Sequence, residues 1–119
     1  MRSNIPQQAL VLLNDPTYVE AARAFAARIL SECKGSTDER IAWAWQQSLQ
    51  RDPSEGEVKT MRSLLEGRLV DYHADSGAAD ALLKTGLAAV PTGIDKAELA
   101  AWTHVARVLL NLHETITRS

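Results

Sequence analysis

The sequence predicts an all-α protein, a single compact bundle of about five to six helices over residues 1–119 with a long C-terminal helix. Its length fits one domain, since domains commonly contain roughly 100–150 residues. Hydrophobic residues make up 45% of the chain and aromatic residues only 5%, so the apolar share consists largely of alanine and leucine, which favour helices. Apolar residues recur at helical spacing, and capping motifs precede several of these segments.

The first two segments meet at a corner formed by Asn14, Asp15 and Pro16, after a short apolar stretch at 7–13. Asp15 is a suitable N-cap for the next helix, and Pro16 fits its first position, where the missing N–H costs nothing. This helix runs to about Lys34, and Gly35 ends it. Its periodicity predicts a buried face of Tyr18, Ala22, Phe25, Ala26, Ile29, Leu30 and Cys33, with Glu20, Arg23, Arg28 and Glu32 off that face.

Capping boxes open the next two helices. Ser36 is followed three residues later by Glu39, and Ser54 by Glu57. In such a box the two side chains satisfy backbone N–H groups that the first helical turn leaves without partners. The predicted ends follow from turn residues: the third helix stops near 51–53, the fourth breaks around 75–77, and a short fifth helix covers 78–85.

The last helix begins at a third box of the same type, formed by Asp95 and Glu98, and extends to about Thr117. The segment before it, around Pro91, reads as a loop. Projection of this helix predicts an apolar arc of Leu99, Trp102, Val105, Ala106, Leu109, Leu110, Leu112, His113 and Ile116, and a polar side of Thr103, His104, Arg107, Asn111 and Glu114.

Two features of these helices are candidate contact surfaces. Trp43 and Trp45 are two residues apart, so one is expected to enter the core while the other covers a neighbouring element or serves as an interface anchor. On the last helix, His104, Arg107, Asn111 and Glu114 follow one another at spacings of three and four residues, so their side chains share one stripe. This stripe is either a solvated face or a contact surface for another domain or subunit.

Charge and cysteine content exclude several classes of function. The net charge is −2 and no basic run is present, so we expect no nucleic-acid partner. No stretch approaches the roughly 18 apolar residues that span a bilayer, and the first residues lack the core of a signal peptide, so we expect neither membrane insertion nor a leader of the chain's own. Cys33 is the single cysteine, which excludes an intrachain disulfide and a CxxCH haem attachment.

Two sets of residues resemble metal sites only superficially. His113 and Glu114 begin like the HExxH zinc motif, but Thr117 stands where the second histidine would be. Asp71, His73 and Asp75 alternate along a helix, which points the histidine away from both carboxylates. We therefore predict no metal, no cofactor and no catalytic residue, and expect no catalytic activity from this chain alone.

Several blocks of the sequence resemble a known domain. The opening block covers 2–16 and 18–23, and later blocks lie at 51–57, 98–103 and 108–114, so the resemblance extends over nearly the whole chain. The domain is the C-terminal domain of unknown function of large planctomycete-type proteins that also carry cytochrome-c-like domains. The resemblance implies an exported or periplasmic protein of which this chain is the C-terminal part. The family supplies no catalytic residues, and its last block usually has an acidic residue where this chain has His113.

These observations lead to a first hypothesis and two alternatives. The first is a non-catalytic helical module that contacts other domains of its parent protein through Asn14 and Asp15 and through the stripe of His104, Arg107 and Asn111. The second is an accessory wall of an active site in a larger enzyme, acting on polysaccharide. The third is a free-standing helical homodimer that uses an exposed tryptophan.

Overall fold

The structure is a computed structural model that describes residues 16–84 and 94–118, with side chains described from 19 to 84 and from 94 to 113. The predicted segment 7–13, the N-cap at Asp15, the contact residue Asn14 and the loop around Pro91 lie outside the described residues. The predicted all-α class is confirmed, because the described parts contain helices and no strand. The helices are α1 (Pro16–Glu32), α2 (Thr37–Leu49), α3 (Glu55–Ala74), α4 (Ser76–Leu83) and α5 (Lys96–Arg118).

Both serine capping boxes are confirmed at the starts of α2 and α3. The hydroxyl of Ser36 accepts the backbone N–H of Glu39 at 3.2 Å, and the Glu39 carboxylate accepts the Ser36 N–H at 2.7 Å. Ser54 and Glu57 repeat the arrangement at 3.2 and 2.8 Å. Each box satisfies donors that the helix itself leaves unpaired, which sets the first residue of the helix.

Aspartates cap the starts of α4 and α5. Asp95 accepts the Glu98 N–H at 3.0 Å, while the Glu98 carboxylate accepts a bond from Arg40 of α2 at 3.1 Å. Of the predicted third box, the Asp95 cap is confirmed, while the Glu98 carboxylate ties α2 to α5. Asp75 accepts the Ala78 N–H at 3.1 Å, which begins α4 at Ser76, two residues before the predicted start.

The core is built around α5, which contacts all four of the other described helices. Leu99, Trp102, Val105, Ala106 and Leu109 of its predicted apolar arc are buried. Leu110 and Leu112 are partly buried against the same cluster. On α1, the predicted face is confirmed at Ala22, Phe25, Ala26, Ile29 and Leu30, while Cys33 is partly exposed. Further core residues come from the other helices: Ile41, Ala44, Trp45, Met61, Leu65, Ala79 and Leu83.

The prediction that Arg23 lies off the buried face of α1 is wrong. Arg23 is only 2% exposed. Its guanidinium donates a hydrogen bond to the backbone oxygen of Leu83, at the C-terminal end of α4, and lies 3.8 Å from the Glu20 carboxylate. A buried cation needs such partners, and the end of a helix offers carbonyl groups with no intrahelical donor. Helical spacing alone does not reveal a partner sixty residues away.

The two tryptophans of α2 divide as expected. Trp45 is 3% exposed and belongs to the core. Trp43 is partly buried and packs against that core. The guanidinium of Arg28 lies 5.7 Å from the ring centre of Trp43, and that of Arg51 lies 5.3 Å from a ring of Trp45. Each indole is thus covered on one face by an arginine. None of the described helices combines the length and apolar character needed to cross a membrane.

Candidate functional site

The residues of the predicted polar stripe on α5 differ in how far they are buried. His104 and Arg107 are partly buried, but Asn111 is only 5% exposed, so the prediction that it lies on an accessible face is wrong. Thr103 is also fully buried, with its hydroxyl donating to the Leu99 carbonyl at 2.7 Å. The reason is the central position of α5, which contacts all four of the other described helices, so that part of its polar side is covered. The side chain of Glu114 lies outside the described part.

His104 is joined to α3 by a short hydrogen bond. Its Nε2 lies 2.6 Å from the hydroxyl of Tyr72, and the two rings stack with centroids 5.7 Å apart at an interplanar angle of 29°. In the sequence, Tyr72 follows the apolar residues of α3 at helical spacing, which by itself indicates only packing. A partly buried tyrosine hydroxyl usually has a hydrogen-bond partner, so a tyrosine at this position indicates that a partner exists. The identity of that partner depends on how α3 and α5 pack.

Both members of this pair are uncharged at neutral pH. Burial, followed by the positive charges of Arg107 and Arg68, lowers the pKa of His104 to about 4. Burial also raises the pKa of the Tyr72 hydroxyl. The Tyr72 hydroxyl and the neutral imidazole therefore share one hydrogen bond, in which the imidazole tautomer decides which group donates. Efficient acid–base catalysis needs a group whose pKa lies near the working pH, and the His104 pKa is far below neutrality.

Charged residues border the pair on the two helices. The Arg68 guanidinium binds the Asp71 carboxylate at 2.7 Å, one turn along α3. Arg107 lies one turn beyond His104 on α5. The side chains of Arg68 and Asp71 are 41% and 57% exposed, so this region reaches solvent. We call Arg68, Asp71, Tyr72, His104 and Arg107 the polar cluster.

A groove of about 440 Å³ lies elsewhere, between α1, α2 and α5, with His113 at its edge. His113 belongs to the predicted apolar arc of α5, but it is exposed, so this part of the prediction is wrong. Its Nδ1 lies 2.8 Å from the backbone oxygen of Ser48, which ties the end of α2 to α5. Ala21, Ala24, Phe25 and Leu110 form the apolar lining.

The described residues hold no group of three or more histidine, cysteine, aspartate or glutamate side chains arranged to bind a metal ion. The carboxylate of Asp71 is paired with the guanidinium of Arg68. His73 and Asp75 are exposed, and Asp75 caps α4. The polar cluster, which joins α3 to α5 through the Tyr72–His104 bond, is the candidate site that we consider further.

Comparison with known proteins identifies the family. Neither the curated proteins nor the solved structures give a match to this chain. A family model does match, over residues 1–65 of the 119, which include the opening block and the block at 51–57. The blocks at 98–103 and 108–114 lie beyond the matched residues. The chain belongs to the family described as PSD1: Protein of unknown function (DUF1553).

Proposed function

We propose that this chain is a non-catalytic helical module that packs against the remainder of a larger exported protein carrying cytochrome-c-like domains. The family match supports a domain of unknown function, and the blocks of sequence described above motivate the cytochrome-associated, planctomycete-type context. Docking, rather than chemistry, is the role that the polar cluster suits best.

The observation that carries this proposal is the composition of the polar cluster. It combines a tyrosine with two arginines, the residue types most often found to dominate the binding energy of protein interfaces. The 2.6 Å bond between Tyr72 and His104 holds both rings in place before any partner arrives. Preorganised side chains lose little conformational entropy on binding, so they favour association.

The test uses the protein encoded by the full reading frame and limited proteolysis at the junction before Met1. Arg107→Ala should loosen docking and speed cleavage there. Lys59→Ala is the matched control, because it removes an exposed cation of α3 that lies outside the polar cluster. Equal cleavage rates for Arg107→Ala and wild type would argue against this surface, and a larger effect of Lys59→Ala would argue for a different face.

A further inference from the structure

A pocket of about 490 Å³ lies where α2, α3 and α5 meet, and it shares no lining residue with the polar cluster. Met61 of α3, which is buried, and Leu112 of α5, which is partly buried, form its apolar wall. The other lining residues are Trp45, Ser54, Gly56, Glu57 and Thr60. Pockets that bind small molecules commonly measure about 300–1,000 Å³, so this one is large enough to hold a ligand.

Trp45 brings to this pocket a buried hydrogen-bond donor that lacks an acceptor. Its side chain is 3% exposed, and within the described part of the chain its indole N–H has no hydrogen-bond partner. The Arg51 guanidinium covers the ring at 5.3 Å, but a guanidinium only donates. Buried polar groups in native proteins are nearly always hydrogen-bonded. The indole N–H is therefore suited to an acceptor that comes from outside the described residues.

The start of α3 adds a second donor to the same pocket. The Ser54 hydroxyl accepts the N–H of Glu57 at 3.2 Å, and the Ser54 carbonyl accepts the N–H of Val58 at 2.9 Å. Neither bond uses the N–H of Gly56, which lies in the first turn, where a helix has no acceptor of its own. A Cβ built on Gly56 would lie 4.0 Å from the Ser54 hydroxyl oxygen, so an incoming group has room beside this backbone.

The charges around the pocket favour an uncharged acceptor. Hydrogen bonds from Arg51 and from the Ser54 backbone lower the pKa of Glu57 to about 2, so this lining carboxylate is ionised at neutral pH. Arg51 binds it through both terminal nitrogens at 2.9 Å, which occupies the guanidinium. Glu55 adds a further negative charge in the first turn of α3. A carboxylate or phosphate would be repelled here, whereas an amide carbonyl accepts N–H bonds without carrying a charge.

We propose that this pocket binds an uncharged amide carbonyl, which accepts the indole N–H of Trp45 while its substituents pack against Met61 and Leu112. Such a carbonyl occurs in the main chain of a peptide, in the side chains of asparagine and glutamine, and in small free amides. The site goes beyond the docking function proposed above, because it involves none of the residues of the polar cluster.

The experiment follows the indole N–H resonances of the 119-residue chain by NMR at neutral pH. The chain has three tryptophans, and Trp45→Phe assigns the resonance of interest by removing it. The probe is N-methylacetamide, and acetate is the charged control of similar size. We expect a saturable shift of the Trp45 resonance with N-methylacetamide only, and no saturable shift of the Trp43 and Trp102 resonances.

A capped alanine dipeptide distinguishes the two sources of the carbonyl. Tighter binding of this peptide than of N-methylacetamide would assign the pocket to a polypeptide segment, because the longer chain also contacts the apolar wall. Equal or weaker binding of the peptide would assign the pocket to free small amides.

Two glycine substitutions on α3 locate the site. Gly56→Leu places a side chain in the pocket and should weaken binding by about tenfold or more. Gly67→Leu is the matched control, because Gly67 is exposed farther along the same helix, with nothing within 4 Å of its added Cβ. Leucine favours helices more than glycine does, so both variants should remain folded, which circular dichroism measures.

The inference is overturned if N-methylacetamide leaves the Trp45 resonance unchanged, or if acetate shifts it as strongly. It is also overturned if the Gly56→Leu and Gly67→Leu variants bind equally well. These outcomes are separate from those of the proteolysis test, which depends on Arg107 and not on this pocket.

Discussion

Helix α5 meets the rest of the protein in two different ways. Against the core it presents large apolar side chains such as Trp102, Val105 and Leu109, all essentially inaccessible to solvent. Against the second half of α3 it presents His104, which shares a hydrogen bond with Tyr72 and has its pKa lowered by the charges of Arg107 and Arg68. The first contact is buried and apolar, while the second is partly exposed and holds titratable groups.

The difference between these regions concerns specificity. Apolar packing is non-directional and scales with the area removed from water, so many combinations of side chains can satisfy it. The polar cluster depends on single atoms, because the Tyr72 hydroxyl has one partner at 2.6 Å. We therefore expect the core to determine stability at every pH, and the polar cluster to determine pH sensitivity and binding.

The largest effect should come from the core. Leu109 is fully buried, so Leu109→Ala loses apolar contacts and leaves a cavity, at a cost of about 2–5 kcal/mol in the free energy of unfolding. Urea unfolding followed by circular dichroism measures this. Arg107→Ala, two residues earlier on the partly exposed strip, should change the unfolding free energy by about 0.5 kcal/mol or less. Comparable losses in the two variants would contradict the division between core and polar cluster.

A second effect tests whether a polar residue can matter as much as the apolar core. Arg23→Ala would leave the Leu83 carbonyl without its arginine donor in a buried setting, so we expect a loss of about 2–3 kcal/mol. Arg28→Ala removes an arginine from the exposed side of the same helix, where it pairs with Glu32 at 2.9 Å, and should cost about 0.5–1 kcal/mol. Thermal unfolding of both variants measures the contrast. Equal melting temperatures would show that the buried contact of Arg23 adds nothing.

The third effect is a loss of stability that occurs only at acidic pH. The pKa of His104 is lowered from 6.5 to about 4 in the folded protein, so the unfolded chain takes up this proton first as pH falls. Stability from this group is complete above the unfolded value and declines as pH drops from 6.5 toward 4. We expect a loss of up to about 2 kcal/mol across that window, measured by urea unfolding at several pH values.

Two variants separate this histidine from the other acid-sensitive groups. His104→Gln should flatten the stability profile between pH 6.5 and 4, whereas His73→Gln, which removes an exposed histidine, should keep the decline. Glu57 acts at lower pH, because hydrogen bonds from Arg51 and from the Ser54 backbone lower its pKa to about 2. Its contribution is present above 4.5 and lost as pH falls through 2. A profile for His104→Gln that matches wild type would exclude His104 as the source of the decline.

Local sequence determined the helices and most of the core. The capping boxes at Ser36 and Ser54 act within four residues, so the chain itself contains both partners of each hydrogen bond. The apolar faces of α1 and α5 likewise follow from a spacing of about 3.6 residues. The all-α class and the apolar arc of the last helix were predictable for the same reason.

Tertiary packing decided the polar contacts. Arg23 reaches Leu83, Arg40 reaches Glu98, and Tyr72 reaches His104, and each pair is separated by more than thirty residues. Helical periodicity assigns a charged or polar residue to the outer face, and only the neighbouring helix shows whether that face is covered. Asn111 is the clearest case, since its spacing indicated an exposed stripe while packing around α5 buried it. Hydrophobic faces are encoded in a repeating pattern, whereas the partner of a polar side chain is set by the three-dimensional arrangement of the helices.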